Sequence, residues 1–229
     1  MKRPVACFVA LLLAFAACAA DTVKFVREYT EGQVDKFNVT IAMVFPTATW
    51  TFKALDTLTV KKVYPDGEVD IETAATDMKA DVPGQDVPTP DQKSTRRFGK
   101  DGMPAGDLAA GGPQFDYART EALLFGRDLT VGNDVAIEWT APKDAKSKIK
   151  GTFNVQSVKD GLATVVSKLQ IWNSGTGDKP MQATFTTLIE VVTSKIQKVD
   201  GVVTDLPIGA DSPTPKQMKI TRVRVPAAG

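Results

Sequence analysis

Three carboxylates alternate along one short run: Glu68, Asp70 and Glu72, with Val69 and Ile71 between them. In an extended chain a period of two puts all three on one face and the apolar pair on the other. Hard oxygen ligands in such a row suit a divalent cation. The same row also suits the water-facing side of a half-buried sheet, and that is the reading adopted, with no metal expected. The Asp-rich turns lack the ligand spacing of a calcium-binding loop. Ser147 and Lys150 have the Ser-x-x-Lys spacing of one nucleophile class, but they lie in a polar turn leading into a strand, not on a helix. Ser94-Thr95-Arg96-Arg97 and the segment from Lys143 to Lys150 are basic clusters. Either would suit a phosphate, and either would equally serve as edge charge that deters strand pairing.

The chain has no histidine, which excludes a Ser-His pair. Its two cysteines, Cys7 and Cys18, both fall at the N-terminus, leaving no thiol or disulfide framework beyond it. That N-terminus has the form of a secretory signal peptide over residues 1–20: Lys2 and Arg3, an apolar run from Val5 to Ala17, then small residues. The run is about 13 residues, too short to cross a bilayer stably. Cleavage after Ala20 or Ala19 gives a soluble exported protein. Phe15-Ala16-Ala17-Cys18 also resembles a lipobox, which makes Cys18 the lipidation candidate and membrane anchoring its consequence. With Lys2 and Arg3 gone, 26 of the 28 basic residues remain against 27 acidic ones, so nothing favours nucleic acid or an anionic surface. No catalytic constellation and no cofactor motif is found, and the chain is read as a non-enzyme.

The aromatics carry more weight. Trp50, Phe52, Trp139, Phe153, Trp172 and Phe185 all lie in strand-like segments. They are either core or the wall of a cavity left by a curved sheet. On the second reading Phe37, Val39, Trp139 and Phe153 are the ligand-cavity candidates.

The elements that position them are strands. Ile149 to Trp172 contains two apolar arms around Lys159-Asp160-Gly161, the strongest short-range signal for a β-hairpin. Leu58 to Ile71 repeats it around Asp66-Gly67. Gly32 followed by Phe37, Val39 and Ile41 is echoed by Gly132 followed by Val135, Ile137 and Trp139. Lys198-Val199-Asp200-Gly201 is expected to turn as Lys100-Asp101-Gly102 does, at the end of a strand running from Ala183 through Ile196. Ala80 to Thr95 and Asp205 to Lys216 are proline-rich and read as loops, and Met218 to Val225 as the last strand. Helical spacing of Phe115, Ala118 and Ala122 predicts one short helix ended by Gly126. The expectation is a mainly β fold: a duplicated antiparallel sheet, with a first half over 21–112, a connecting helix over 113–126 and a second half over 127–229.

This arrangement resembles a family of uncharacterised bacterial exported proteins and lipoproteins built from duplicated β domains. Their second half has a Val-Gly-Asp-x-Trp-like lead-in, here Leu129-Thr130-Val131-Gly132-Asn133-Asp134-Val135, with the aromatic later at Trp139. The family implies no known activity. The order of elements also looks like the curved half-barrels of periplasmic lipid and lipoprotein carriers, in which a sheet wraps a helix around an apolar cavity. The resemblance implies an envelope protein, periplasmic or extracellular, that binds a lipid or other hydrophobic small molecule. A structural or protein-interaction module of the envelope is the alternative, and an enzyme comes third.

Overall fold

A computed structural model describes residues 22–105, 117–173, 176, 178–206 and 215–226. The expected signal peptide with Cys18 and residues 106–116 before the helix lie outside the described residues, as does 207–214 of the second proline-rich loop.

The fold is mainly β. In chain order the strands are β1 (Thr22–Lys24), β2 (Val34–Val44), β3 (Thr49–Val63), β4 (Val69–Asp81) and β5 (Gln92–Phe98). A 3-10 helix (Tyr117–Leu124) follows, then β6 (Asp128–Thr130), β7 (Asp134–Ala141), β8 (Asp144–Lys159), β9 (Leu162–Trp172), β10 (Met181–Glu190), β11 (Ile196–Thr204) and β12 (Gln217–Arg224). Ten strands form one antiparallel sheet in the order β5-β4-β3-β2-β12-β11-β10-β9-β8-β7, and β1 pairs with β6 as a separate ribbon. Each long strand pairs with its sequence neighbour. Besides pairing with β11, β12 returns to pair with β2 over Gln217–Arg224 and joins the two halves into a single sheet.

The repeat has a structural counterpart. β1 to β5 and β6 to β10 follow the same order. Gly32 N–H donates to Val60 O and Gly132 N–H to Val155 O, each at 2.8 Å. Each acceptor immediately precedes a β-bulge, at Val60–Lys62 and at Val155–Ser157. Among the described residues β11 and β12 have no counterpart in the first half, and they fill the sheet between the two repeats.

The sheet is open but strongly curved. Flat, ten strands would hold their edges about 43 Å apart. Yet Trp139 on edge strand β7 donates from Nε1 to Asp101 Oδ2 at 2.8 Å, just beyond the end of the other edge strand, β5. The two edges are not paired with each other. The concave face is packed over most of its extent. Ile41, Trp139, Phe153, Val165, Ile171, Phe185 and Ile220 form one cluster with Val23, Phe25, Met103 and Leu129. The helix plugs the middle of this face: Thr120 to Leu124 are all buried. Gly126 beyond it has φ 78° and donates to Phe25 O at 2.8 Å, fastening the helix end to the N-terminal arm.

Four expectations need correction. Asp200-Gly201 is not a turn: β11 runs straight through it, and the chain reverses earlier, between Glu190 and Ile196, where Ser194 has φ 55°. Gly201 instead faces Phe185 across the ladder, and a Cβ there would stand 2.2 Å from the ring. Ala80–Thr95 is not loop throughout, since β4 extends to Asp81 and β5 begins at Gln92. Val23 to Tyr29 reads in the sequence as a first strand, but the strand is only Thr22–Lys24, and the arm to Tyr29 crosses the concave face instead of joining the sheet. The helix is 3-10 and begins at Tyr117, with Thr120 to Leu124 buried in succession, while Phe115 of the predicted spacing lies outside the described residues.

Candidate functional site

The carboxylate row does share a face, and cations from the neighbouring strands meet it. Arg97 on β5 donates from Nε to Asp70 Oδ1 at 2.8 Å and lies 3.5 Å from Glu68; Glu72 lies between Lys93 at 3.0 Å and Lys61 at 3.9 Å. Tyr64 donates its hydroxyl to Asp70 Oδ2 at 2.8 Å, and Arg97 stacks on the Tyr64 ring at 4.0 Å. The hydrogen bond from Arg97, and after it that from Tyr64, hold the Asp70 carboxyl below its ordinary range. The same bond to Asp70 pushes the Tyr64 hydroxyl up. This is an ionic ladder tying β3, β4 and β5 at the sheet edge. Among the described residues no group of three ligating side chains is poised for a metal.

Ser147 and Lys150 are not a pair. Ser147 is buried and donates to Asp144 Oδ2 at 2.6 Å, whereas Lys150 is exposed and bridges to Glu138 at 2.7 Å. Three residues apart on one strand, they point to opposite faces.

The polar feature with the greatest physical cost lies on the concave face. There the apolar rows of β2 and β12 turn ionic at one end. On β12 the inward series Met218, Ile220 continues as Arg222 and Arg224; on β2 the inward series Ile41, Val39, Phe37 continues as Asp35. Arg222 is buried against Glu121 of the 3-10 helix, Nη1 to Oε1 3.4 Å, with side-chain exposures of 7% and 5%. Its guanidinium lies 3.7 Å from the centre of the Phe37 ring. Arg224 pairs with Asp35 and donates from Nε to Ile196 O at 2.7 Å, while Gln33 Nε2 donates to Asp35 at 3.1 Å. Buried charges persist only when paired and hydrogen-bonded, so each arginine arrives with its carboxylate.

These groups line a half-open cleft of about 630 Å³ between β2, β3, β12, the N-terminal arm and the β10–β11 turn. Phe37, Leu58, Val60, Ile71 and Phe125 give it an apolar floor. Arg27 lies over Phe125 at 4.2 Å and donates to the Tyr29 hydroxyl at 2.9 Å. Val26 N–H donates to Ser194 Oγ at 3.0 Å, fixing the arm to the turn across the cleft. Six large hydrophobic side chains are exposed among the described residues, and three of them, Val26, Val34 and Val192, stand around this cleft.

Of the four cavity candidates, Phe37 lines the cleft. Val39, Trp139 and Phe153 are buried in the main cluster away from it. Arg27, Asp35, Glu121, Arg222 and Arg224 had not been singled out from the sequence. A signal for the last two was present, because Arg222 and Arg224 continue the core-facing register of their strand. Glu121 and Arg27 reach the site only through the path of the helix and arm.

No family model matches the chain, and comparison with curated proteins and with solved structures returns no match.

Proposed function

We propose that this protein is a non-enzymatic binding module of the cell envelope, exported by its N-terminal leader, whose cleft holds a lipid or other hydrophobic small molecule. The observation that carries the reading is the cleft itself. The concave face, packed by its own side chains over most of its extent, leaves about 630 Å³ open over Phe37, Leu58, Val60, Ile71 and Phe125. Small-molecule sites span about 300–1,000 Å³ and combine an apolar lining with a few fixed polar groups. Burial of ligand surface here contributes about 25 cal/mol per Å². Binding is favoured over catalysis because Asp35 and Glu121 are each engaged by an arginine, which suits a fixed wall better than a proton-transfer pair.

The test is uptake of a fluorescent fatty acid by delipidated protein and by Leu58→Trp. Leu58 is half-buried on the floor, so the larger ring fills the cleft with limited strain on the core. Saturable uptake by the wild type, lost or weakened at least about tenfold in Leu58→Trp, is expected. Absence of uptake by the wild type would contradict the reading. One observation favours a second reading, a protein-interaction module: Val192 is 90% exposed at the cleft mouth, beside Val26 at 53%. Exposed apolar groups gathered in one place mark contact surfaces.

A further inference from the structure

We infer that the ligand of this cleft carries an anionic head group, a carboxylate or a phosphate, which docks on Arg27 while its apolar body lies along Phe37, Leu58, Val60 and Ile71. The inference rests on the binding reading above and adds the ligand's charge and orientation.

Five cations line the cleft, Lys24, Arg27, Lys195, Arg222 and Arg224, against three carboxylates, Glu28, Asp35 and Glu121. Arg222 and Arg224 are committed to Glu121 and Asp35. Lys24 is drawn to Asp128 at 3.5 Å, and Lys195 and Glu28 lie exposed. Arg27 differs from the other two arginines. It is half-buried, and among the described residues no carboxylate lies within ion-pair distance of it. Its guanidinium is held by the Phe125 ring at 4.2 Å, the Tyr29 ring at 5.6 Å and one hydrogen bond to the Tyr29 hydroxyl. Gly102 backs it so closely that a Cβ there would stand 2.4 Å from Arg27 Nη1. A guanidinium offers five N–H donors in a rigid plane, and stacking on an aromatic fixes that plane without using the donors along its edge. Such an edge matches a carboxylate or phosphate, and charge-assisted bonds of this type are roughly twice as strong as neutral ones. The two carboxylates nearest the floor do not compete, because their own arginines hold them.

The experiment uses four amphiphiles with the same chain and different heads: dodecanoate, dodecyl phosphate, dodecanol and dodecyltrimethylammonium. Each displaces the uncharged fluorophore N-phenylnaphthylamine from delipidated wild-type protein, Arg27→Gln and Arg27→Lys, below micelle formation. The expected result is that at least one anionic amphiphile binds wild type about tenfold or more tightly than dodecanol. Dodecyltrimethylammonium should bind most weakly. Arg27→Gln should bring the anions level with dodecanol without changing dodecanol affinity, and Arg27→Lys should restore part of the preference. The tighter of the two anions identifies the head. Equal affinity for all four heads in the wild type would overturn the anionic head and leave the apolar cleft standing. An anion preference that survives in Arg27→Gln would overturn the seat assigned to Arg27. Failure of the fluorophore and every amphiphile to bind would overturn both this inference and the binding reading. The wild-type comparison decides the head group even if a variant does not fold.

Discussion

Trp139 is 9% exposed on edge strand β7, its ring in the main cluster and its indole N–H donating to Asp101. Trp139→Ala should therefore cost about 3–5 kcal/mol of stability, as loss of a core aromatic does. Uptake of a lipid probe by the folded fraction should be unchanged, because Trp139 does not line the cleft. Chemical denaturation alongside probe titration checks both; a small stability loss with lost uptake would make it a ligand contact. Asp70 gives a second residue-scale expectation. Its carboxyl is held below the ordinary range in the folded state, chiefly by Arg97. It therefore stabilises the fold at pH values above the ordinary carboxylate pKa, and that contribution is lost as pH falls through the lowered folded value. Arg97 is 41% exposed, so solvent screens the pair and the effect is small. Asp70→Asn should flatten the acid limb of stability against pH while leaving the neutral plateau within about 1 kcal/mol of wild type; an unaltered acid limb would contradict the ladder. At this scale alternation showed which side chains face inward, Phe37 and Phe153 included. It could not show which inward residues border empty space, because that depends on the helix and arm laid over the sheet.

Gly161 shows why one hairpin was readable. The β8–β9 turn is a two-residue loop with Asp160 at φ 52° and Gly161 at φ 77°, both in the left-handed region. Asp-Gly favours that conformation locally, whatever the rest of the chain does. No atom lies within 4 Å of where a Cβ on Gly161 would be, so a substitution there meets backbone strain alone. Gly161→Val should cost about 1–3 kcal/mol by that strain. A denaturation midpoint equal to wild type would count against it. The same dipeptide misled at Asp200-Gly201, where the glycine exists to admit the Phe185 ring from the neighbouring strand. Cross-strand aromatic–glycine packing is a tertiary requirement, and it leaves no mark in the local sequence to separate it from a turn. The extension of β4 into the segment read as loop is also non-local, since its pairing reaches Ala80 and Asp81 through Phe52 and Thr51 on β3.

For the whole molecule, mainly β content, antiparallel pairing and the repeated order of elements were legible because a meander is a chain of local hairpins. Closure of the two halves into one sheet was not, because β12 pairs with β2 across most of the sequence. Nor was the ionic end of the concave face, which needs β2, β12, the helix and the arm together. That assembly leaves an open cleft whose floor is apolar and whose rim is ionic, and a hydrophobic ligand with a polar end is the occupant proposed for it. Native mass spectrometry of the protein purified without detergent is the decisive measurement. A wild-type population heavier than the polypeptide by the mass of one lipid-sized molecule, released on collisional activation, is expected, and no such population for Leu58→Trp. Bare polypeptide mass in the wild type, or the same adduct retained in Leu58→Trp, would contradict it.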